Sequence, residues 1–359
     1  MQKKLKNAIS VITRCRGDKG FYASSERYKY EYWTRDLCYC VNSLISLGFA
    51  KDVKNQLLTI WKKQAMNGEV PRYMIDKRFK WLPGKLFTKI RNGKILSTIK
   101  SLDTMETRFN KWTIDSTPLT VIATYKYAAA SGDSHIIEAL KPQIEKALRY
   151  TKLHVRDFLI RGGDWRDSMP WLRNKFLLSN NVMLYELYKI LGEGGKATII
   201  KDRINSEFWN GEYYTDFIGS VNFDCFGASS AVLSGIVPRG HFKKLSEKIL
   251  SASSKYGIKN MVEVKPVNRE ENGANESCNQ RYAIWPLVNT YAIMAIRKMG
   301  ANAAAEKELK KMENLLGFRE WYNPDTGDGH GSREQLWSAV AYYELIKVLR
   351  YSNLLYTYR

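Results

Sequence analysis

Apolar residues recur at helical spacing over most of this chain. The period predicts helices over 3–14, 37–48, 50–66, 115–130, 134–156, 177–191, 195–208, 225–236, 241–254, 282–299, 301–314 and 333–350. Val53, Leu57, Leu58, Ile60 and Trp61 carry it in the third, and Ile137, Leu140, Ile144, Ala147 and Leu148 in the fifth. Asp36, and either Asp115 or Ser116, stand where a side-chain oxygen can accept from the free amides of a first helical turn. Gly48, Gly132, Gly192, Gly240 and Gly300 stand where helices stop. Strand-type alternation is nearly absent, so the fold class is all-α.

Short turns inside the pairs make neighbouring helices antiparallel. The first and last helices pair with each other, and the other ten form five hairpins. Hairpin starts near 115, 177, 225 and 282, and the last helix at 333, recur at about 50–60 residues, which is a repeat. Repeated hairpins stack into an open solenoid or close into an (α/α)6 toroid, and a closed ring needs no capping repeats. Residues 1–359 are read as one such domain, interrupted by a long excursion at 67–114.

The phase of the polar chemistry selects the ring. Tyr32-Trp33-Thr34-Arg35-Asp36, Trp112-Thr113-Ile114-Asp115, Asp164-Trp165-Arg166-Asp167, Asn222-Phe223-Asp224, Gln280 to Trp285 and Glu320-Trp321-Tyr322 each precede or open an even-numbered helix. Any one of them is as readily a capping device as a functional loop. In a ring of antiparallel pairs all six emerge on one rim and line one cleft.

Composition and charge sharpen the nature of that cleft. The 22 Tyr and 10 Trp exceed what a helical core needs, and their rings suit a wet, partly apolar surface. A net charge of +21 draws anions, which allows nucleic acid, an anionic glycan or an anionic surface, and equally reflects solubility alone. The excess concentrates in loop 72–100, with nine Lys/Arg, the single acid Asp76, and Phe79, Trp81 and Phe87 between them. Both a lid or contact for an anionic partner and a plain solvated loop remain open. The in-phase clusters are aromatic and acidic rather than basic, which weighs against nucleic acid. Cys15, Cys38, Cys40, Cys225 and Cys278 form neither a metal pattern nor an even disulfide set, so a reducing, cytoplasmic setting is expected. No metal or cofactor is expected from the four scattered His. The basic N-terminus lacks an apolar leader core, and no run of 18 apolar residues predicts a membrane span.

A cleft of Trp, Tyr and carboxylates without metal ligands or phosphate loops suits saccharides. Trp33, Trp165, Trp285 and Trp321 are candidate stacking walls. Hydrolysis of a glycosidic bond needs two carboxyls, one to protonate the leaving oxygen and one to activate water or attack. An aromatic pocket keeps the first protonated by disfavouring its charge. Gly162 to Ser168, with Asp164 and Asp167, supplies the first candidate, and Glu320 the second.

The ordered pieces Gly20 to Ser24, Tyr32 to Leu37, Gly68-Glu69-Val70-Pro71, Ile114 to Leu119, Asp164 to Ser168, Ile284 to Asn289, Glu320 to Gly327 and Gln335 to Ala339 make the chain similar to the six-hairpin glycosidases. Within them it resembles most the amylo-α-1,6-glucosidase domain of glycogen debranching enzymes and the related glucoamylase and processing α-glucosidase groups. The resemblance implies Asp167 as general acid and Glu320 as base. It implies Arg35 and Asp36 as the pair holding the terminal sugar, with Asp115 and Trp285 in the same subsite. Some relatives place the acid directly after the Trp, where this chain has Arg166, so Asp164 competes with Asp167 and otherwise joins the binding set. The implied activity is an inverting, exo-acting hydrolase of α-glucosides in an oligo- or polysaccharide, with carboxyls about 6.5–9.5 Å apart. Such a ring leaves no room for the amino-terminal β-sandwich of many relatives. The alternatives are an invertase-like, trehalase-like or acidic-glycan hydrolase, or a non-catalytic basic helical-repeat protein binding nucleic acid or another anionic polymer.

Overall fold

In the computed structural model, which describes residues 2–77, 105–110, 112–262 and 279–351, twelve principal helices follow the predicted period. They are α1 (Gln2–Arg14), α2 (Thr34–Ser46), α3 (Ala50–Lys62), α4 (Ser116–Ser131), α5 (Lys141–Leu153) and α6 (Leu178–Ile190). They continue with α7 (Gly194–Glu207), α8 (Cys225–Leu233), α9 (Phe242–Ser251), α10 (Pro286–Lys298), α11 (Asn302–Asn314) and α12 (Leu336–Tyr351). The even-numbered helices each pack on the next, and α12 packs on α2, which closes a ring. The odd-numbered helices lie outside it, with α1 against α12, α5 against α4, α7 against α6 and α11 against α10. The chain is therefore the (α/α)6 toroid and not an open solenoid.

The two layers differ in sequence for a physical reason. A helix covered on all sides is apolar or small all round, whereas a surface helix keeps one stripe. α8 is buried continuously from Cys225 to Val232, and α4 from Ser116 to Thr124. Outer α1 buries only Ala8, Val11 and Ile12, and outer α9 only Leu245 and Ile249. Lys4 on α1 reaches the end of α11, where its Nζ donates to the carbonyls of Met312 (2.5 Å), Glu313 (3.0 Å) and Leu315 (2.6 Å).

Three expectations change. The helix predicted over 134–156 breaks at Leu140 into His135–Ala139 and α5, because Pro142 has no amide hydrogen and fits only a first turn. Asp36 does not cap a helix: α2 begins after Trp33, and Asp36 lies inside its first turn. Asp115 is the N-cap of α4, but its side chain makes no capping bond. Both carboxylates are directed to the cleft instead.

Strands are also present, in five small antiparallel sheets among the described residues. β1 (Glu31–Trp33), β2 (Tyr73–Asp76) and β3 (Met105–Arg108) form one, with β2 in the middle, and β4 (Trp321–Tyr322) pairs with β5 (Gly329–His330). Strands of two to four residues are too short for alternation to register in sequence. The basic loop 72–100 is described only as far as residue 77, and Cys278 also lies outside the described residues.

Aromatic rings fill the axis. Trp165, Trp285 and Trp337 meet edge to face at centroid distances of 5.3–6.3 Å, and Phe226 lies below Trp165 at 5.9 Å. Phe226 in turn meets Tyr39 at 5.7 Å and Tyr291 at 5.0 Å. Beyond them, toward the C-terminal ends of the inner helices, opens a cavity of about 1050 Å³ that touches neither Asp167 nor Glu320.

Candidate active site

The acid loop is built on backbone contacts that leave one carboxylate outward. Gly163 bridges Thr113, with Ile114 N–H donating to the Gly163 carbonyl (3.0 Å) and Gly163 N–H to the Trp112 carbonyl (2.9 Å). Gly162 stands at φ +148°, where a Cβ would strike Ile114 at 2.6 Å, so this approach needs a glycine. Asp164 turns inward. It accepts from Arg166 Nη2 (2.8 Å), Nε (3.0 Å) and backbone N–H (3.1 Å), and from the Ser179 hydroxyl (2.6 Å). Burial alone would raise its carboxyl, but the Arg166 charge and these bonds hold it below the usual carboxylate range. Arg166 is wholly buried and also pairs with Asp216 at 2.8 Å.

Asp167, the next residue, faces the cleft with its side chain 16% exposed. Its Oδ2 accepts from Arg72 Nη2 (2.6 Å) and Arg35 Nη1 (3.3 Å), and its Oδ1 from Gln280 Nε2 (3.3 Å). Trp112 Nε1 donates to its carbonyl at 2.9 Å, and Gln280 accepts from the Ser168 amide at 3.1 Å. Its main chain is thus held from both sides.

Glu320 enters just before β4. Its Oε2 accepts from the Ser332 amide (3.0 Å), both oxygens lie 3.3 Å from the Tyr28 hydroxyl, and Arg27 Nη1 lies at 3.9 Å. Burial pushes its carboxyl up, and the Ser332 amide and Arg27 oppose this only in part. The Asp167 charge also acts on it in the same upward direction, so the two carboxyls share one field.

A continuous wall joins them. From Glu320 it runs through Tyr28 to Trp33, whose rings meet at 5.7 Å. Trp33 stacks on Tyr73 at 4.5 Å, and the Arg72 guanidinium lies 4.8 Å from the Trp33 ring and bonds Asp167. Arg35 is buried and forks onto Asp115 with bonds of 2.7 and 2.9 Å. Asp36 accepts from Gln335 Nε2 at 3.0 Å, and burial pushes its carboxyl up to about 7. Trp165 and Trp285 lie in the aromatic floor, and Trp321 stacks on His330 at 4.3 Å on the rim hairpin.

Six of the residues singled out from sequence, namely Trp33, Arg35, Asp36, Asp115, Asp167 and Glu320, are therefore brought to one cleft. Asp164 is not, its oxygens being taken up by Arg166 and Ser179. Sequence reasoning missed Arg72, Tyr28, Gln280, Gln335 and Trp337 as members. Gln280 sits in a loop already in phase, and Gln335 and Trp337 sit in a motif already recognised. Arg72 directly follows the Gly68-Glu69-Val70-Pro71 piece and opens the basic loop, while Tyr28 carries no such signal. Among the described residues no group of three His, Cys, Asp or Glu is placed to hold a metal ion. No helix among them is long and apolar enough to cross a membrane.

The family described as the mannosylglycerate hydrolase MGH1-like glycoside hydrolase domain matches residues 264–338. A mannosylglycerate hydrolase of Rubrobacter radiotolerans is 25% identical over 204 residues, which is 50% of this chain and 45% of that protein. The matched stretch thus spans about half the length of that curated relative. The crystal structure of a GH63 mannosylglycerate hydrolase from Thermus thermophilus with Tris and D-glycerate superposes with a TM-score of 0.69 at 13% identity, covering 95% of this chain and 99% of that one. A solved structure described as a wild-type glycosidase gives 0.66 at 14% identity, covering 97% and 96%. These relatives correct the resemblance to glycogen debranching enzymes, since those with named substrates are mannosylglycerate hydrolases. The structural likeness at near-complete coverage establishes the (α/α)6 fold shared with these glycosidases.

Proposed function

We propose that this chain is a glycoside hydrolase in which Asp167 is the general acid and Glu320 the general base. The observation that carries this is the pair itself: two carboxyls from distant loops facing one aromatic-walled cleft, beside the buried Arg35–Asp115 fork. Asp167 protonates the glycosidic oxygen as the bond from C1 breaks. Glu320 takes a proton from a water that forms the new bond to C1 on the opposite face, which inverts configuration. Arg35, Asp36 and Asp115 hold hydroxyls of the terminal sugar, Trp33 flanks it, and Trp165 and Trp285 close the floor. The substrate is a small exo-cleaved α-glycoside whose leaving part is acidic, of the mannosylglycerate kind. The relatives' names and the cations Arg27, Arg35 and Arg72 support that reading. The buried free thiols of Cys15, Cys38, Cys40 and Cys225 fit a reducing, cytoplasmic setting.

The test is sugar release from mannosylglycerate, glucosylglycerate, isomaltose, trehalose, sucrose and glycogen limit dextrin, with proton NMR of the first anomer released. Asp167→Asn and Glu320→Gln each lower turnover about 10²–10⁴-fold with the fold kept. Activity that survives Asp167→Asn but not Asp164→Asn would move the acid to Asp164. Glu320 works ionised, so its raised carboxyl puts the acid limb of the rate profile above the ordinary glutamate range.

A further inference from the structure

Every side-chain partner of the Asp167 carboxylate among the described residues is a donor: Arg35 and Arg72 on Oδ2 and Gln280 on Oδ1. A carboxyl that delivers a proton must carry one. Oδ2, accepting from two guanidiniums, has no room for it, and Oδ1 keeps one open site beside Gln280. Both guanidiniums crowd the same oxygen, and giving up one of them frees Oδ2 to take part in proton delivery.

The two arginines are unequal in this respect. Arg35 is 3% exposed and is forked onto Asp115, so moving it would strand a buried carboxylate. Arg72 is 25% exposed, and its only ion pair among the described residues is with Asp167. Its Nε is buried without a hydrogen-bond partner among those residues. Its backbone is fixed, donating to the Arg108 carbonyl (2.8 Å) and accepting from the Thr34 amide (3.0 Å). The guanidinium lies over the Trp33 and Tyr73 rings, at 4.8 and 5.7 Å, a surface on which it can slide without losing its stacking. Arg72 is thus a tethered cation on an aromatic rail, beside the position of the leaving group.

We propose that Arg72 determines specificity by alternating between two anions, the Asp167 carboxylate and a carboxylate on the leaving part of the substrate. This rests on the reading of Asp167 as the acid. An anionic leaving group takes the Arg72 fork, including the Nε that Asp167 leaves unused. Asp167 then binds a proton from solvent and gives it to the glycosidic oxygen. A neutral leaving group offers Arg72 nothing, and Arg72 stays on Asp167 Oδ2. In each cycle Glu320 gains one proton from water and releases it to solvent, so the proton balance closes.

The experiment compares kcat/KM for a glycoside of glycerate with that for the same sugar on glycerol, in the wild type, Arg72→Met and Arg72→Lys. The wild type prefers the anionic leaving group. In Arg72→Met that preference falls by about tenfold to a hundredfold, the scale of one charge-assisted fork, and activity on the glycerol compound rises. Arg72→Lys, a point cation, keeps an intermediate preference and guards against misfolding of the methionine variant. An unchanged ratio in Arg72→Met overturns the proposal, and so does an equal loss on both compounds, which would make Arg72 only a brace for Asp167. A wild type that releases sugar from neither compound nor from the wider panel overturns the hydrolase reading and this proposal together. A wild type active on the panel with no preference for the anionic compound overturns this proposal alone.

Discussion

Glu320 depends on a neighbour that has no side chain. A Cβ on Gly331 would lie 2.3 Å from Glu320 Oε2, and Gly331 sits at φ +69°. Gly331→Ala therefore strains the backbone by about 1–2 kcal/mol and displaces the carboxylate. Turnover is expected to fall at least tenfold beside a modest drop in Tm. Gly300→Ala is the control, since φ is +94° there but nothing lies within 4 Å of its Cβ, so it lowers Tm and leaves turnover unchanged. Asp36 makes a second residue-scale prediction. Burial raises its carboxyl from 3.8 to about 7, so between those pH values the folded chain binds more protons than the unfolded one. Stability from this group is fully present below about pH 4 and is lost as pH rises toward 7, by at most about 4 kcal/mol. Asp36→Asn keeps an acceptor for Gln335 and should reduce the fall in Tm between pH 5 and pH 8. Asp224, also pushed up to about 7 by burial, retains part of the slope. An unaltered slope in Asp36→Asn would show that Asp36 is ionised in the fold.

At the scale of elements, the twelve helices were legible because each inner or outer helix keeps its own apolar period, and the stops at Gly48, Gly132 and Gly300 are local. The small sheets were not legible, because what orders them is distant. β1 meets β2 only after the whole α2–α3 hairpin has intervened, and β3 pairs with β2 from beyond the basic loop in sequence. Arg72, just before β2, shares its fate: the Gly68-Glu69-Val70-Pro71 piece beside it gives it no role of its own, and its partner Asp167 is on another hairpin. Asp167 itself was legible through motif and phase, whereas the inward turn of Asp164 needed Ser179 and Asp216 to be seen beside Arg166. Between elements, Lys4 makes a tie across more than 300 residues of sequence. Burial pushes its amine down to about 8, yet it donates to the carbonyls of Met312 and Glu313 in the last turn of α11 and of Leu315 just beyond it. Lys4→Met keeps the apolar stem and leaves those carbonyls without this donor. It should cost about 1.5–3 kcal/mol in a denaturant titration at pH 7, and no loss would mean that solvent replaces the tie. An amine held below its unfolded value of 10.5 makes stability rise from about pH 8 to pH 10, and Lys4→Met should remove that rise.

For the whole molecule, the aromatic plug divides the ring into two ends of different character. The N-terminal ends of the inner helices carry the carboxyls and arginines of the cleft, and the other end opens the separate cavity. Closure also joins the first helix to the last, since α1 packs on α12. That contact has a consequence in time rather than in space. A ribosome extends a chain by about 5–20 residues per second, so α1 is made roughly 15–65 s before α12 exists to receive it. Over that interval the stripe of Ala8, Val11 and Ile12 lacks the helix it packs on most, and the nascent chain presents it to whatever holdase is near. A circular permutant that carries α1 after α12 would remove the wait. It should refold from denaturant to the same Tm as the parent, and accumulate with less dependence on chaperones while it is being synthesised.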